Sequence, residues 1–559
     1  MTPILYIRKN MKKTVHILTM LLVSVTMAAQ PAGVKKVAKS TFSLTSFDEK
    51  GSIVASTQGV FIDEKGTGIC PFKVFVGAER ATVVDADGNS MEVDALLGAD
   101  ELYDVAKLRV KASTKAAPLA TAAEKQGAKV WLMPYSINNP QPLQLTLSSV
   151  ERFHNSYNYY ILDGEVPDNA EGCPVVNGNG QVVGIMHKSD SHTTAVDGAY
   201  VKQLSVSGLS SLDASLQETG VRTALPDNEE EAITMMTLKK GSVKEDTYRA
   251  YVDEFLEKFP TSSFGYQELG LIQMGQDLFD EASKTMEAAI KQSRAKDEAH
   301  SDYANLIYQK NIYKSDKPYE PWTLDKALEE AKTAYGINPQ PIYQHQEAQI
   351  IFAQGKYQEA YDIFMALTKS PISNAELYYE AAQSKIHLNA PDTEIRVLLD
   401  SAVNVGKRMG TGEAPYILAR AQYLHDKGEY REALKDYNAY DTLTATTDPV
   451  FFYLRYKCET QVRQWQQALF DIARACFLNP KEPTYFAEWA SLDLRVKRYD
   501  EAVSAATKCI ELAPEYADGY LLLGLAQIEK GMKEEGLKNL EKAKELGDTR
   551  AEQYIEKNK

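Results

Sequence analysis

Two spacings of apolar residues divide the chain. From about Thr41 to Leu209 the apolar positions alternate over short stretches. Examples are "QGVFID", "ATVVDADGNSMEVDALL", "VAKLRV", "KVWLMPY", "LQLTLSSV" and "NYYILDGEV". A period of two marks strands with one buried face. Turn signals separate the stretches at Asp63-Glu64-Lys65-Gly66, Asp87-Gly88 and Asn138-Asn139-Pro140. Many short strands punctuated in this way predict an all-β barrel or sandwich. A polar stretch follows, "ETGVRTALPDNEEEAITMMTLKKGS", with three successive glutamates, and it reads as a linker. After about Val243 the spacing becomes helical.

The helical half also carries a longer period. "RQWQQALFDIARACFLNP" places Trp465, Ala468 and Pro480, and "KRYDEAVSAATKCIELAP" places Tyr499, Ala502 and Pro514. "GMKEEGLKNLEKAKELG" sets Lys533 and Gly536 at the next step, so the offset is 34 residues each time. Looser copies start at Tyr430, Tyr357, Leu324 and Phe279, each with alanine three residues on, and "APDTEIRVLLDSAV" hides one more. "GYQELGLI" and "GYLLLGLAQI" supply partner helices, with Gly270 and Gly524 where two helices approach closely. An aromatic, an alanine and a closing proline on this period resemble the tetratricopeptide (TPR) repeat. The resemblance covers roughly residues 245–555, as about seven or eight helix pairs. Such a pair has one uncovered apolar face, and stacking covers it.

At 559 residues the chain is too long for one core. Its net charge of -15 argues against nucleic acid or anionic lipid as partner, because both require a basic surface. The N-terminus has Lys12-Lys13, the apolar run "VHILTMLLVSVTMAA" and small residues, the layout of a secretory signal peptide. Met11 is the expected start, with cleavage near Ala29-Gln30. The run is too short for a membrane span, and no cysteine follows it to take a lipid anchor. The mature protein is expected to be periplasmic or secreted, with no membrane span after signal removal. Five cysteines, Cys70, Cys173, Cys458, Cys476 and Cys509, leave at least one without a partner in the same chain. No spacing among them resembles a zinc or haem motif. No metal and no cofactor is expected.

The chemistry of the β half centres on "GEVPDNAEGCPVVNGNGQVVGIMHK". Its second part is a hairpin, with Asn177-Gly178-Asn179-Gly180 at the turn. "PDNAEGCPVVNGNGQVVGI" resembles the nucleophile loop and following hairpin of trypsin-like proteases of the HtrA/Deg type. "GVFIDEKGTGICPFKVFVGA" resembles that family's histidine segment, and "GADELYDVAKLRV" its aspartate segment. All three stand in the family's order, over roughly residues 40–210. The resemblance implies a trypsin-like double β-barrel followed by an α-α TPR superhelical solenoid. The implied division is a signal peptide at 1–29, a protease-like domain at 34–212, a linker at 213–243 and repeats at 244–559. HtrA-type proteases usually carry PDZ domains; none is evident here, and the repeats stand in their place.

Residue by residue, the histidine position holds Lys73, the aspartate position Asp104 and the serine position Glu171. Asn169 replaces the glycine two before the serine, and Gly172-Cys173-Pro174 replaces Gly-Gly-Pro. A charged ammonium cannot accept the proton that the base must take. A carboxylate at the serine position puts negative charge beside a developing oxyanion. Lys73 and Glu171 are expected to form an ion pair, with Asp104 nearby. Cys173 lies two residues past the serine position, a displacement of about 6–7 Å that misses the oxyanion donors. His187 and His192 read as surface strand and loop residues. Cys70 and Cys173 lie on loops that meet in a trypsin-like fold; a disulfide and two buried free thiols are the alternatives. Cys458, Cys476 and Cys509 read as small core residues on the repeat helices.

These features point to a non-catalytic scaffold that binds protein or peptide through the repeat groove. An active endopeptidase with a rearranged site is the alternative. The chain is rich in tyrosine, 32 residues, which suits recognition, although repeat packing accounts for most of them.

Overall fold

The structure is a computed structural model, and it describes residues 31–138, 140–154, 156–189, 192–410 and 412–558. The expected signal peptide, its cleavage point and Asn139 of the third turn signal lie outside the described residues. The chain divides into two compact units, up to Ala295 and from Lys296 onward.

Among the described residues the first unit opens with a short helix, Ala32–Val37, and then holds twelve strands in two closed six-stranded barrels. Barrel one comprises β1 (Thr41–Phe47), β2 (Ile53–Phe61), β3 (Thr67–Cys70), β4 (Arg80–Asp85), β5 (Ser90–Asp100) and β6 (Val105–Val110), in the order β1-β2-β3-β6-β5-β4. Barrel two comprises β7 (Lys129–Leu132), β8 (Leu143–Phe153), β9 (Tyr157–Asp163), β10 (Pro174–Asn177), β11 (Val182–Lys188) and β12 (Thr193–Asp197), ordered β10-β11-β12-β9-β8-β7. The alternation seen in the sequence fixes which face turns inward. In β6 Ala106, Leu108 and Val110 point into barrel one, and Val105 on the other face is buried between the barrels. The turn signals act as expected: Asp63 accepts hydrogen bonds from the backbone N–H groups of Lys65 and Thr67 at 2.8 and 3.0 Å. Phe42, Phe61, Phe72 and Phe75 fill barrel one. Val130, Leu145, Val175 and Met186 fill barrel two. A third cluster, with Val60, Ile69, Val105, Val176 and Ile185, draws on both barrels and joins them.

The stretch 213–243 is not a free linker. Leu96 of β5 donates its N–H to Arg222 O and accepts from Ala224 N, both at 2.8 Å, so residues 222–224 run along the barrel edge. The three glutamates form the first turn of a helix, Glu229–Lys239, whose N-cap Asn228 accepts from Glu231 N at 3.0 Å. Acidic side chains are favourable there because they face the positive end of the helix dipole. The glutamate run is therefore a helix start, not a loop. Arg222 bonds Asp94 at 3.0 Å and also bonds Glu254, which sits on the next helix, Glu245–Lys258. Arg109 adds bonds to Asp94 at 2.7 Å and Glu254 at 3.2 Å. This network of two arginines and two carboxylates, with Lys111 at 3.3 Å from Asp94 and Lys258 at 3.8 Å from Glu254, ties the helix Glu245–Lys258 to barrel one. It explains why the compact unit extends to Ala295, beyond the barrels.

The remaining helices pack in consecutive pairs, consistent with a solenoid. Second helices start at Phe279, Leu324, Tyr357, Tyr430, Trp465, Tyr499 and Lys533, the positions that the period predicts. The alanine three residues in (Ala282, Ala327, Ala360, Ala433, Ala468 and Ala502) is fully buried each time. Two residues before each of these helices except Leu324, the chain passes through one left-handed residue: Asp277, Gly355, Gly428, Arg463, Lys497 and Gly531. That conformation ends the preceding helix and reverses the chain. Gly524 and Gly536 show why small residues recur. A Cβ on either would stand within 2.8 Å of the other's carbonyl oxygen.

Candidate functional site

The three segments singled out in the sequence converge at one end of the barrels. Lys73 opens a short 3-10 turn, Lys73–Phe75, after β3. Asp104 ends the β5–β6 turn in the left-handed region, φ 50°, a conformation that aspartate tolerates better than most residues. Glu171 follows another 3-10 turn, Asp168–Ala170, just before β10. At Gly172, φ is +78° and a Cβ would lie 2.2 Å from Gln58 O. Only glycine lets the loop approach β2 this closely.

The expected Lys73–Glu171 ion pair is not formed. Lys73 instead engages Asp104: its backbone N–H donates to Oδ1 at 2.7 Å, and its Nζ stands 3.8 Å from Oδ2. The Lys73 side chain is otherwise in solvent, 78% exposed. Glu171 takes its partners from β11. His187 Nδ1 lies 2.9 Å from Glu171 Oε1, and the backbone N–H of Lys188 donates to Oε2 at 2.8 Å. A fixed neighbour outcompetes a long flexible ammonium, because little side-chain entropy is lost in forming the contact.

His187 is the residue that the sequence reading placed wrongly. It is not a surface residue: its side chain is 15% exposed, and its Nδ1 is also 3.8 Å from Asp104 Oδ2. An imidazole thus returns to the site from the opposite barrel, between two carboxylates. The hairpin held the signal. The β10–β11 ladder pairs Pro174 with Ile185, and Met186 N donates to Cys173 O at 3.0 Å. Continuing the same register brings Glu171 beside His187 and Lys188. A bulge between Val175 and Val176 obscures that count when it is made from the turn alone.

Gln58 on β2 is the second residue missed. Its Nε2 donates to Asn169 O at 2.6 Å, and its Oε1 accepts from Tyr135 N and from Cys173 Sγ at 2.5 and 3.1 Å. It pins the nucleophile loop to barrel one. Cys70 and Cys173 are both buried free thiols, so the disulfide alternative is not realised. Burial pushes the Cys173 thiol up to about 12, with Glu171 adding to the shift against the Tyr135 amide. Burial first, then Asp104, raises the Cys70 thiol too. Neither thiol is poised to ionise. Cys458, Cys476 and Cys509 are also buried and free.

Asp104, Glu171 and His187 line a cavity of about 810 Å³ together with Ser56, Thr57, Tyr103 and Thr194. Among the described residues no serine, threonine or cysteine bonds to His187, and its Nε2 is buried without a hydrogen-bond partner. Thr57 spends its hydroxyl on Glu171 O at 3.3 Å. The cavity therefore holds an imidazole and two carboxylates but no alcohol or thiol bonded to the imidazole. Among the described residues those three side chains also bring one donor atom each within 4.8 Å of the others.

Residues 51–185 match the trypsin-like peptidase domain family. The first unit is thus built on a trypsin-like domain, and a helical region consistent with repeats follows it. Among solved structures, a serine endoprotease from Yersinia pestis aligns at 22% identity over 31% of this chain, with a TM-score of 0.27. The alignment covers 63% of that protein, less than two thirds of its length. No curated protein matches the chain in sequence.

Proposed function

We propose that this chain is a non-catalytic scaffold of the cell envelope or exterior, in which a trypsin-like domain that has lost its chemistry is joined to TPR repeats and binds extended polypeptide. One observation carries the reading. The side chain at the nucleophile position is a carboxylate, Glu171, and it is already engaged by His187 Nδ1 and Lys188 N. Acyl transfer needs an alcohol or thiol bonded to a base. Among the described residues the side chains that His187 Nδ1 meets within 3.8 Å are the two carboxylates, while the neighbouring Thr194 makes no bond to the imidazole. The buried Cys173 does not substitute for the missing nucleophile. Its thiol is protonated and bonded to Gln58. Against the active-endopeptidase alternative stands the lack, among the described residues, of a hydroxyl or thiol bonded to His187.

What survives is the cleft. About 810 Å³ lined by Tyr103, Tyr159, Lys73 and the two carboxylates suits a short peptide segment. In the second unit many tyrosine hydroxyls serve the fold. Tyr343 bonds Asp297 at 2.9 Å, Tyr416 bonds Glu376 at 3.0 Å and Tyr456 bonds Glu488 at 3.0 Å. Export is supported by the basic and then apolar start of the chain. The test is fluorescence polarisation with labelled unfolded peptides, run beside a fluorophosphonate probe. Saturable peptide binding without covalent labelling is expected. Labelling of any residue in the cleft would overturn the reading.

A further inference from the structure

We propose that Asp104, Glu171 and His187 form a binding site for one divalent transition-metal ion of the zinc type. This goes beyond the scaffold reading and does not depend on it. The geometry begins with the two carboxylates. Each spends one oxygen on a backbone N–H: Asp104 Oδ1 on Lys73 N at 2.7 Å, and Glu171 Oε2 on Lys188 N at 2.8 Å. Each thereby turns its other oxygen toward His187 Nδ1, at 3.8 Å for Asp104 Oδ2 and 2.9 Å for Glu171 Oε1. Outer hydrogen bonds of this kind are what hold metal ligands in place. Zinc bonds of about 2.0–2.1 Å to nitrogen and oxygen set neighbouring tetrahedral ligand atoms about 3.3 Å apart. These two separations fall on either side of that value, and all three donor atoms lie within 4.8 Å of one another, so side-chain rotations bring the three ligands onto one ion.

The ligand set selects the metal. One imidazole with two carboxylates suits zinc, cobalt or manganese, whereas calcium and magnesium take oxygen shells. Coordination through Nδ1 moves the imidazole proton to Nε2. That N–H would be buried without a protein acceptor, a cost that the metal bonds must exceed. The charge also fits. The nearest cation is Lys73 Nζ, 3.8 Å from Asp104 Oδ2 on a side chain that is 78% exposed and free to swing out. The fourth position faces the cavity and is open to water or to an oxygen of a bound peptide.

The experiment titrates Zn²⁺ into tag-free, chelator-treated full-length protein by calorimetry, and follows Co²⁺ at the same site by its visible absorption. One ion per chain is expected, with excess Mg²⁺ failing to compete. Asp104→Asn and Glu171→Gln keep the side-chain shapes and should each weaken binding at least tenfold; His187→Ala should do the same. Lys73→Ala removes the competing ammonium and should bind at least as tightly as the parent chain. No saturable Zn²⁺ or Co²⁺ binding would overturn the proposal, as would unchanged affinity in all three ligand variants. Peptide cleavage by the zinc-loaded chain, lost in the same variants, would retain the site and overturn the scaffold reading instead.

Discussion

Asp493 offers a test of the packing in the repeats. It lies on the helix Pro483–Arg495, is 0% exposed, and neither carboxylate oxygen has a hydrogen-bond partner. Arg498 Nε is the nearest cation, at 3.5 Å. Burial outweighs this arginine and, with Glu501 adding to it, raises the Asp493 carboxyl from 3.8 to about 6. The folded state therefore holds this proton more tightly than the unfolded chain. The stability it contributes is complete below pH 4 and is lost as pH rises through 6. A displacement of about two pH units corresponds to about 3 kcal/mol. Asp493→Asn keeps the shape and removes the charge, so it should recover that amount at pH 7.5 and change little at pH 4. Hydrogen exchange of the full chain, parent and variant compared at each pH, reads this directly. About a hundredfold slower exchange over residues 483–495 is expected in the variant at pH 7.5. Equal exchange in the two proteins at pH 7.5 would refute the reasoning. Glu459 and Asp471 push the same way, because burial raises both carboxyls against the pull of Arg455.

Other consequences can be measured on the same protein. Arg463 and Lys497 occupy left-handed turns with φ of 64° and 62° that glycine fills at Gly428 and Gly531. Arg463→Gly and Lys497→Gly should each stabilise by about 1 kcal/mol, read as a rise in melting temperature. Arg222→Met leaves Asp94 and Glu254 with Arg109 and the more exposed Lys111 and Lys258, and should cost about 3 kcal/mol, seen as earlier urea unfolding of the barrels. Arg222 and Arg109 outweigh burial and hold both carboxyls below their ordinary values. The network's contribution should therefore persist at neutral pH and fall away as pH drops through those lowered values. Cys70 and Cys173 should resist alkylation in the folded protein and react in denaturant. A crosslinked 70–173 peptide from the native chain would contradict their assignment as thiols.

Much of the architecture could be read from spacing alone, because spacing reports a repeated environment. Residues such as Ala106, Leu108 and Val110 belong to a strand with a buried face, and the 34-residue offset recurs because the alanine three residues into each second helix is buried every time. The stretch 213–243 misled because acidic runs occur both in solvated loops and in first helical turns. Asn228 just before Glu229 was the sign that distinguishes them. At the site, motif order located Lys73, Asp104 and Glu171, but not their partners. Which side chain faces the cavity depends on strand register, and a bulge in the β10–β11 hairpin hid His187. The Lys73–Glu171 pairing failed because opposite charge alone ignores the backbone N–H groups that had already oriented both carboxylates.

The most direct measurement incubates the purified full chain, with and without added Zn²⁺, with an unfolded protein and a mixed peptide library, and follows the products by mass spectrometry. No new termini above the level of buffer alone are expected. Cleavage that disappears in Glu171→Gln or His187→Ala would contradict the account at its centre.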